Sequence, residues 1–106
     1  MINGVQINPL RQIPDERGKV MHMMKAEDAV FASFGEIYFS RAYPGAVKAW
    51  HLHDRMTINY AVPHGKIKLV LFDDRADSST KGEIQEIFLG EDNYQLVTIP
   101  PFVWNG

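Results

Sequence analysis

The sequence predicts an all-β domain built as an antiparallel barrel or jelly roll. Three observations support this fold class: short runs of β-forming residues recur along the chain, turn residues separate them, and no segment has the period of an amphipathic helix. A chain of 106 residues with 45% hydrophobic residues is long enough for one domain with a modest core. We therefore expect a single domain over residues 1–106.

The first half of the chain contains three strand candidates before the turn at Pro44 and Gly45. Val5–Asn8 alternates apolar and polar side chains, and Lys19–Met24 follows a polar turn. Glu36–Tyr43 is rich in β-forming residues and stops at the turn. These runs predict three strands that precede the most informative part of the sequence.

The second half contains further candidates at Lys66–Asp73, Glu83–Leu89 and Gln95–Ile99. The first of them alternates apolar and polar side chains, which predicts a strand with one buried face. With the weaker runs there are seven or eight candidates, and a jelly roll closes with about eight strands. Because three large apolar residues lie close to Gly106, we expect either that the barrel closes with a partner chain or that the sequence is a fragment truncated at its C-terminus.

A pair of histidines lies between two turns, in the stretch from Gly45 to Gly65. We read this stretch as two strands. His51 and His53 are two residues apart, and side chains two apart on a strand point to one face. Two imidazoles on one face with small neighbours predict that they line a cavity.

The spacing of this stretch resembles the first motif of the cupins, a superfamily of small β-barrels. Gly45, the His51-x-His53 pair and Gly65 stand at the motif's intervals, while Ile58 occupies the position of its glutamate. The resemblance implies a cupin double-stranded β-helix.

A catalytic metal is not expected. Histidine metal sites need at least three protein ligands. Ile58 replaces the carboxylate, and Asn105 stands where the second cupin motif has its histidine. We therefore predict neither a metal nor another cofactor. This prediction argues against the hypothesis that the chain is a metal-dependent oxygenase.

Four segments in order resemble the sugar-nucleotide branch of the cupins, the dTDP-4-dehydrorhamnose 3,5-epimerase family. They are Asp15-Glu16-Arg17-Gly18, Lys48-Ala49-Trp50-His51, Asp73-Asp74-Arg75 with Ser78-Ser79-Thr80, and Leu89–Pro100. The resemblance implies a nucleoside-diphosphate 4-keto-6-deoxy sugar as substrate and a homodimer as the assembly. It also implies a reaction that needs no metal, because a carbon beside a ketone is acidic and an imidazole titrates near neutral pH.

The same resemblance assigns roles to individual residues. His51 matches the base that removes protons beside the sugar ketone, with His53 as its partner or as the acid on the other carbon. Arg17 matches an arginine that contacts the diphosphate, often in the neighbouring subunit, and Lys48 replaces a second arginine. Asn59 and Asn105 are predicted sugar or phosphate contacts.

This sequence also departs from the family's pattern. The basic residue near the enolate oxygen is replaced by Ile58, and the tyrosine that acts as general acid would fall beyond Gly106.

Two other functions stay open at the level of sequence. His51, His53 and Trp104 also resemble the dTDP-sugar 3,4-ketoisomerases, in which two histidines shuttle a proton between two carbons. In this branch Trp104 is a predicted substrate contact. A chain that lacks the acid and the enolate-stabilising group could instead be a non-catalytic cupin that binds a sugar nucleotide.

Composition excludes other classes of function. The chain has 11 basic and 13 acidic residues, a net charge of −2 and no basic patch, so nucleic acid is not an expected partner. It has no cysteine, which suits a reducing compartment. The sequence shows neither a signal peptide nor an apolar run of about 18 residues, so we expect a cytoplasmic protein without a membrane partner.

Overall fold

The computed structural model describes all 106 residues and contains eight β-strands and no helix. In chain order the strands are β1 Gln6–Pro9, β2 Gln12–Asp15, β3 Gly18–Met21, β4 Ile58–Tyr60, β5 Lys66–Asp73, β6 Ile84–Gly90, β7 Gln95–Ile99 and β8 Val103–Asn105. The predicted all-β class is therefore confirmed.

The strands form two three-stranded sheets and one separate hairpin. The sheet orders are β1-β7-β4 and β6-β5-β8, every pair being antiparallel, while β2 and β3 pair only with each other. The two larger sheets share one core, to which the first contributes Val97 and Ile99 and the second contributes Leu69 and Leu71. Two sheets packed over a common core are the architecture expected of a jelly roll.

The predicted alternation in β5 is confirmed. Leu69 and Leu71 are buried between the sheets, whereas Lys66 and Lys68 on the opposite face are exposed. Burying each leucine side chain stabilises the fold by roughly 1.5–3 kcal/mol. The central position of β5, between β6 and β8, depends on this one-sided burial.

Glycine is required at two positions where the turn before β5 and the end of β6 approach each other. Gly65 has a φ of 80°, a left-handed conformation that most residues avoid. Gly90 lies across the sheet at the end of β6, where a Cβ atom would stand 2.8 Å from the Gly65 carbonyl oxygen. The close approach of these two backbones thus depends on the missing side chain of Gly90.

A polar cluster, here called the Asp73 cluster, is formed by Asp73, Arg75, Ser78 and Thr80 after β5. The fully buried Asp73 carboxylate accepts hydrogen bonds from Arg75 Nε at 2.8 Å, Ser78 Oγ at 2.6 Å and Thr80 Oγ1 at 2.7 Å. The Arg75 guanidinium holds the pKa of this carboxyl well below its usual range. The residues after β5 that resemble the epimerase pattern therefore bind one another and hold the loop between β5 and β6 in place.

The structure contradicts two of the predicted strands and shortens a third. Glu36–Tyr43 and the first run of the histidine stretch are not strands in this chain, and the third strand ends at Met21 instead of Met24. No backbone amide from Ala32 to Ala42 donates a hydrogen bond to another backbone group. A β-strand exists through hydrogen bonds to a neighbouring strand, and no other part of this chain supplies them here.

The structure contains no helix that is long and apolar enough to cross a membrane.

Candidate active site

The histidine segment is attached to the edge of β8. His51 and Asn105 form a hydrogen-bonded antiparallel pair, with His51 N–H donating to the Asn105 carbonyl at 2.8 Å and Asn105 N–H donating to the His51 carbonyl at 3.0 Å. Side chains that are directly opposite in such a pair share one face. The imidazole of His51 therefore lies on the same face as the Asn105 side chain.

A strained turn holds the other end of this segment. Phe102, between β7 and β8, has a φ of 66°, which is an outlier for a bulky residue. In this conformation its backbone N–H donates to the His53 carbonyl at 2.8 Å. His51 is thus attached to β8 and His53 to the turn that precedes it, although the first of the two strands predicted in this stretch is absent.

The face that His51 shares with Asn105 also carries a tyrosine. Tyr60 of β4 donates its hydroxyl hydrogen to Asn105 Oδ1 at 3.1 Å, and Asn105 Nδ2 donates to the His51 carbonyl at 3.3 Å. The Asn105 side chain is 1% exposed, whereas His51 is exposed and His53 is half-buried. The buried side-chain amide of Asn105 therefore links the phenol of Tyr60, from the first sheet, to the backbone of His51, whose imidazole is solvent-accessible.

The chemical state of Tyr60 follows from its surroundings. Burial raises the pKa of the Tyr60 phenol above its ordinary value of 10.0, and the nearby Tyr38 raises it further. The phenol consequently stays protonated at neutral pH and is available as a hydrogen-bond donor.

The structure does not place Trp104 and Asn59 on this face. Trp104 alternates with Asn105 along β8 and lines, with Leu52 and Arg75, an open cleft of about 600 Å³ on the other side. Asn59 alternates with Tyr60 along β4 and accepts a hydrogen bond from Thr98 Oγ1 at 2.7 Å.

Arg17 and Lys48 also lie apart from the histidine pair. Arg17 sits in the turn between β2 and β3, where its 83% exposed side chain pairs with Asp15 at 2.9 Å. Lys48 Nζ contacts Ser40 Oγ at 2.7 Å within the segment that has no strands.

The predicted cavity around the histidines is not enclosed within this chain. His51 is exposed, although Asn105 on the same face is buried beneath Tyr60 of β4. Within the 106 residues, no group of three or more histidine, cysteine or carboxylate side chains is close enough together to hold a metal ion.

Tyr60 is not among the site residues predicted from the sequence. Its ring does pack against the core, but a half-buried phenol needs a partner for its hydroxyl, and that partner is Asn105. The available signal was the position of Tyr60 two residues after Ile58, on the same face of one strand.

Two curated proteins are similar to this chain over its length. The Spore coat polysaccharide biosynthesis protein SpsL of Bacillus subtilis strain 168 is 37% identical over 106 residues, which cover 100% of this chain and 70% of that protein. The probable low-salt glycan biosynthesis epimerase Agl13 of Haloferax volcanii is 36% identical over 107 residues, covering 99% of this chain and 69% of that protein. No protein-family model matches the sequence.

A solved structure is more similar still. The dTDP sugar isomerase from Desulfovibrio desulfuricans G20 superposes with a TM-score of 0.95 at 48% identity, covering 98% of this chain and 67% of that one. This chain belongs to the cupin family of sugar epimerases and isomerases. The family assignment makes it a carbohydrate-modifying enzyme and confirms the predicted epimerase or isomerase class.

The cupin fold is confirmed by a more distant family structure. The dTDP-4-dehydrorhamnose 3,5-epimerase from Elizabethkingia anophelis NUHP1 is only 17% identical, yet it superposes with a TM-score of 0.71 over 98% of this chain and 61% of that one. The backbone is therefore kept where most side chains differ.

Proposed function

We propose that this cupin epimerase or isomerase acts on a nucleoside-diphosphate 4-keto-6-deoxy sugar, with dTDP as the nucleotide, by metal-free enolisation. The observation that carries the proposal is the pairing of His51 with Asn105, which sets an imidazole on the face where Asn105 meets a protonated phenol. The 48% identical dTDP sugar isomerase supports the choice of substrate class.

His51 is the base in this proposal. Its imidazole removes the proton from a carbon beside the sugar ketone; the electron pair of the C–H bond forms a carbon–carbon double bond, and the carbonyl π pair moves onto the ketone oxygen to give an enolate. Return of a proton to the same carbon from the other side inverts it, which is epimerisation. His53, attached to the turn before the same strand, serves as the partner of His51 or as the acid at the second carbon.

Arg17 is proposed to bind the diphosphate from a neighbouring subunit. It lies on the β2–β3 hairpin, which pairs with neither of the larger sheets, and its guanidinium is mostly exposed. An exposed guanidinium on a projecting hairpin is suited to bidentate contact with phosphate. Lys48 is proposed as a second phosphate contact and Asn105 as a sugar contact, while Asn59 and Trp104 face away from His51.

We also propose that two copies of the chain form a homodimer through the segment between β3 and β4, which lacks strands. Large apolar side chains are exposed along it, including Phe34 at 75%, Tyr38 at 72% and Phe39 at 94%. Exposed apolar residues in this number mark interaction surfaces, and the unpaired backbone beside them can form strands with another chain. Because a chain without cysteine suits a reducing compartment, we propose that the dimer works in the cytoplasm.

A second reaction class is retained because the 48% identical structure is an isomerase. A 3,4-ketoisomerase moves a proton between C3 and C4, whereas a 3,5-epimerase exchanges protons at both C3 and C5. Whether the hydrogen on C5 exchanges with solvent therefore distinguishes the epimerase from the ketoisomerase.

The experiment is proton NMR of dTDP-4-keto-6-deoxyglucose incubated with the protein in D2O. We expect the unmodified protein to remove the C3 proton signal, together with the C5 signal if it is a 3,5-epimerase, because enolisation exchanges carbon-bound hydrogen with solvent. His51→Ala should abolish the exchange. His64→Ala is the matched control, since His64 is exposed in the turn before β5, and it should exchange at the unmodified rate.

The outcomes have distinct meanings. Exchange that survives in His51→Ala would contradict the role of His51 as the base. Binding of the nucleotide without any exchange by the unmodified protein would contradict enolisation and favour a binding module.

A further inference from the structure

We propose that Tyr60 donates a hydrogen bond to the substrate's ketone oxygen and stabilises the enolate that forms when His51 removes the proton. This inference rests on the proposed function and adds to it the group that receives the developing charge. Enolisation needs such a group because the electron pair released from carbon accumulates on oxygen.

The position of Tyr60 is fixed by two contacts. Tyr60 pairs with Val97 across β4 and β7, and its ring packs against the buried core. Its hydroxyl meets the side chain of Asn105, whose backbone is bonded twice to that of His51. The phenolic oxygen and the proposed base are thus held by one amide residue on one face of the molecule.

The other groups in this constellation are already engaged. The Asn105 backbone N–H and one hydrogen of Asn105 Nδ2 donate to the carbonyl of His51, which leaves the second amide hydrogen for the proposed sugar contact. Ile58, the neighbour of Tyr60 on the same face of β4, has no polar side-chain atom. The Tyr60 hydroxyl therefore carries a hydrogen at this point that can be redirected to the ketone oxygen of a ligand.

The present acceptor of that hydrogen is weak compared with an enolate. Tyr60 donates to the neutral amide oxygen of Asn105 at 3.1 Å, which is slightly longer than the usual range for an O–H donor. Hydrogen bonds to an anionic oxygen are shorter and roughly twice as strong. As negative charge grows on the ketone oxygen, the phenol gains by turning from Asn105 to the substrate.

The electron and proton balance requires no further reactant. His51 gains the carbon-bound proton, the carbon–oxygen bond of the ketone becomes the single bond of the enolate, and Tyr60 keeps its proton throughout. Its raised pKa, caused by burial, keeps the phenol a donor across neutral pH.

The test compares Tyr60→Phe with Tyr94→Phe in the D2O exchange assay. Tyr94 is a buried tyrosine in the turn between β6 and β7, outside the proposed machinery. We expect Tyr60→Phe to slow exchange by about 100- to 1,000-fold at saturating substrate, as loss of an oxyanion donor does elsewhere. Its dTDP affinity and thermal midpoint should stay close to those of Tyr94→Phe, which should exchange normally.

Three results would overturn the role of Tyr60. Normal exchange in Tyr60→Phe would show that the phenol is not needed. Exchange that continues while inverted product disappears would make Tyr60 the proton donor instead. A loss of exchange accompanied by a loss of nucleotide binding would make its role structural.

A second substitution covers the case in which Tyr60→Phe does not fold. Replacing Tyr60 alone by 3-fluorotyrosine keeps the shape and lowers the phenol pKa, so the alkaline limit of the exchange rate should move to lower pH. An unmoved limit would overturn the proposal. Absence of exchange in the unmodified protein would instead remove the proposed function itself, which makes the two failures distinguishable.

Discussion

Replacing Asp73 by asparagine tests whether the Asp73 cluster stabilises the fold. The Asp73 carboxylate is fully buried and accepts five hydrogen bonds, of which Arg75 supplies three, from Nε at 2.8 Å, Nη2 at 2.9 Å and its backbone N–H at 3.1 Å. Ser78 and Thr80 supply the other two. The substitution keeps the shape of the side chain, removes the charge and puts an amide NH₂ among donors.

The expected loss is about 3–5 kcal/mol in the free energy of unfolding, the range found when one member of a buried ion pair is removed. Arg75 is then left largely buried without its carboxylate, since its side chain is only 23% exposed. Such a loss is a large share of the roughly 5–15 kcal/mol that stabilises a typical domain.

Urea denaturation at pH 7 measures the effect, with Asp74→Asn as the matched control. Asp74 pairs with Lys81 at 3.0 Å, but the two side chains are 60% and 50% exposed, so its loss should cost no more than about 1 kcal/mol. If Asp73→Asn and Asp74→Asn lowered the free energy of unfolding equally, the buried cluster would not be the source of stability that its geometry indicates.

The same comparison has a defined pH dependence. The pKa of Asp73 is lowered in the folded state chiefly by Arg75, from an ordinary value of 3.8. A carboxyl with a lowered folded pKa stabilises the fold above its unfolded pKa and loses this contribution as the pH falls toward its folded pKa. The difference between unmodified protein and Asp73→Asn should therefore be constant near neutral pH and shrink below about pH 4.

Two further predictions test the assembly and the phosphate site. Phe39→Asp should convert a dimer to a monomer in light scattering, because Phe39 is 94% exposed in the segment proposed to bind a second copy. An unchanged dimer would contradict that surface. Arg17→Ala should weaken dTDP binding about tenfold in calorimetry, while leaving the urea midpoint nearly unchanged because the Asp15 pair is exposed. Unchanged affinity would remove Arg17 from the phosphate site.

Local sequence patterns predicted the strands that bury one face within this chain. Lys66–Asp73 alternates apolar and polar residues, and the strand has those bounds because its leucines fill the space between two sheets. Gln95–Ile99 is also confirmed at its predicted bounds, although this strand is buried on both faces. Burial of side chains two residues apart is a local property of the chain, so it is readable in the sequence.

Strands that form only by pairing with a neighbouring strand are harder to predict from local sequence patterns. Glu36–Tyr43 has the composition of a strand but is irregular here, since no neighbouring strand of this chain pairs with it. Propensity describes how a residue fits a pleated surface and does not provide the adjacent strand.

The sequence by itself determined the all-β class and the cupin resemblance, and it predicted that His51 and His53 lie at the site. Only the tertiary structure decided which residues accompany His51. It brought Asn105 and Tyr60 together from two different sheets, and it set Trp104 on the opposite face of β8. The reason is that contacts between residues 45 or 54 positions apart depend on the pairing of strands, which no local pattern records.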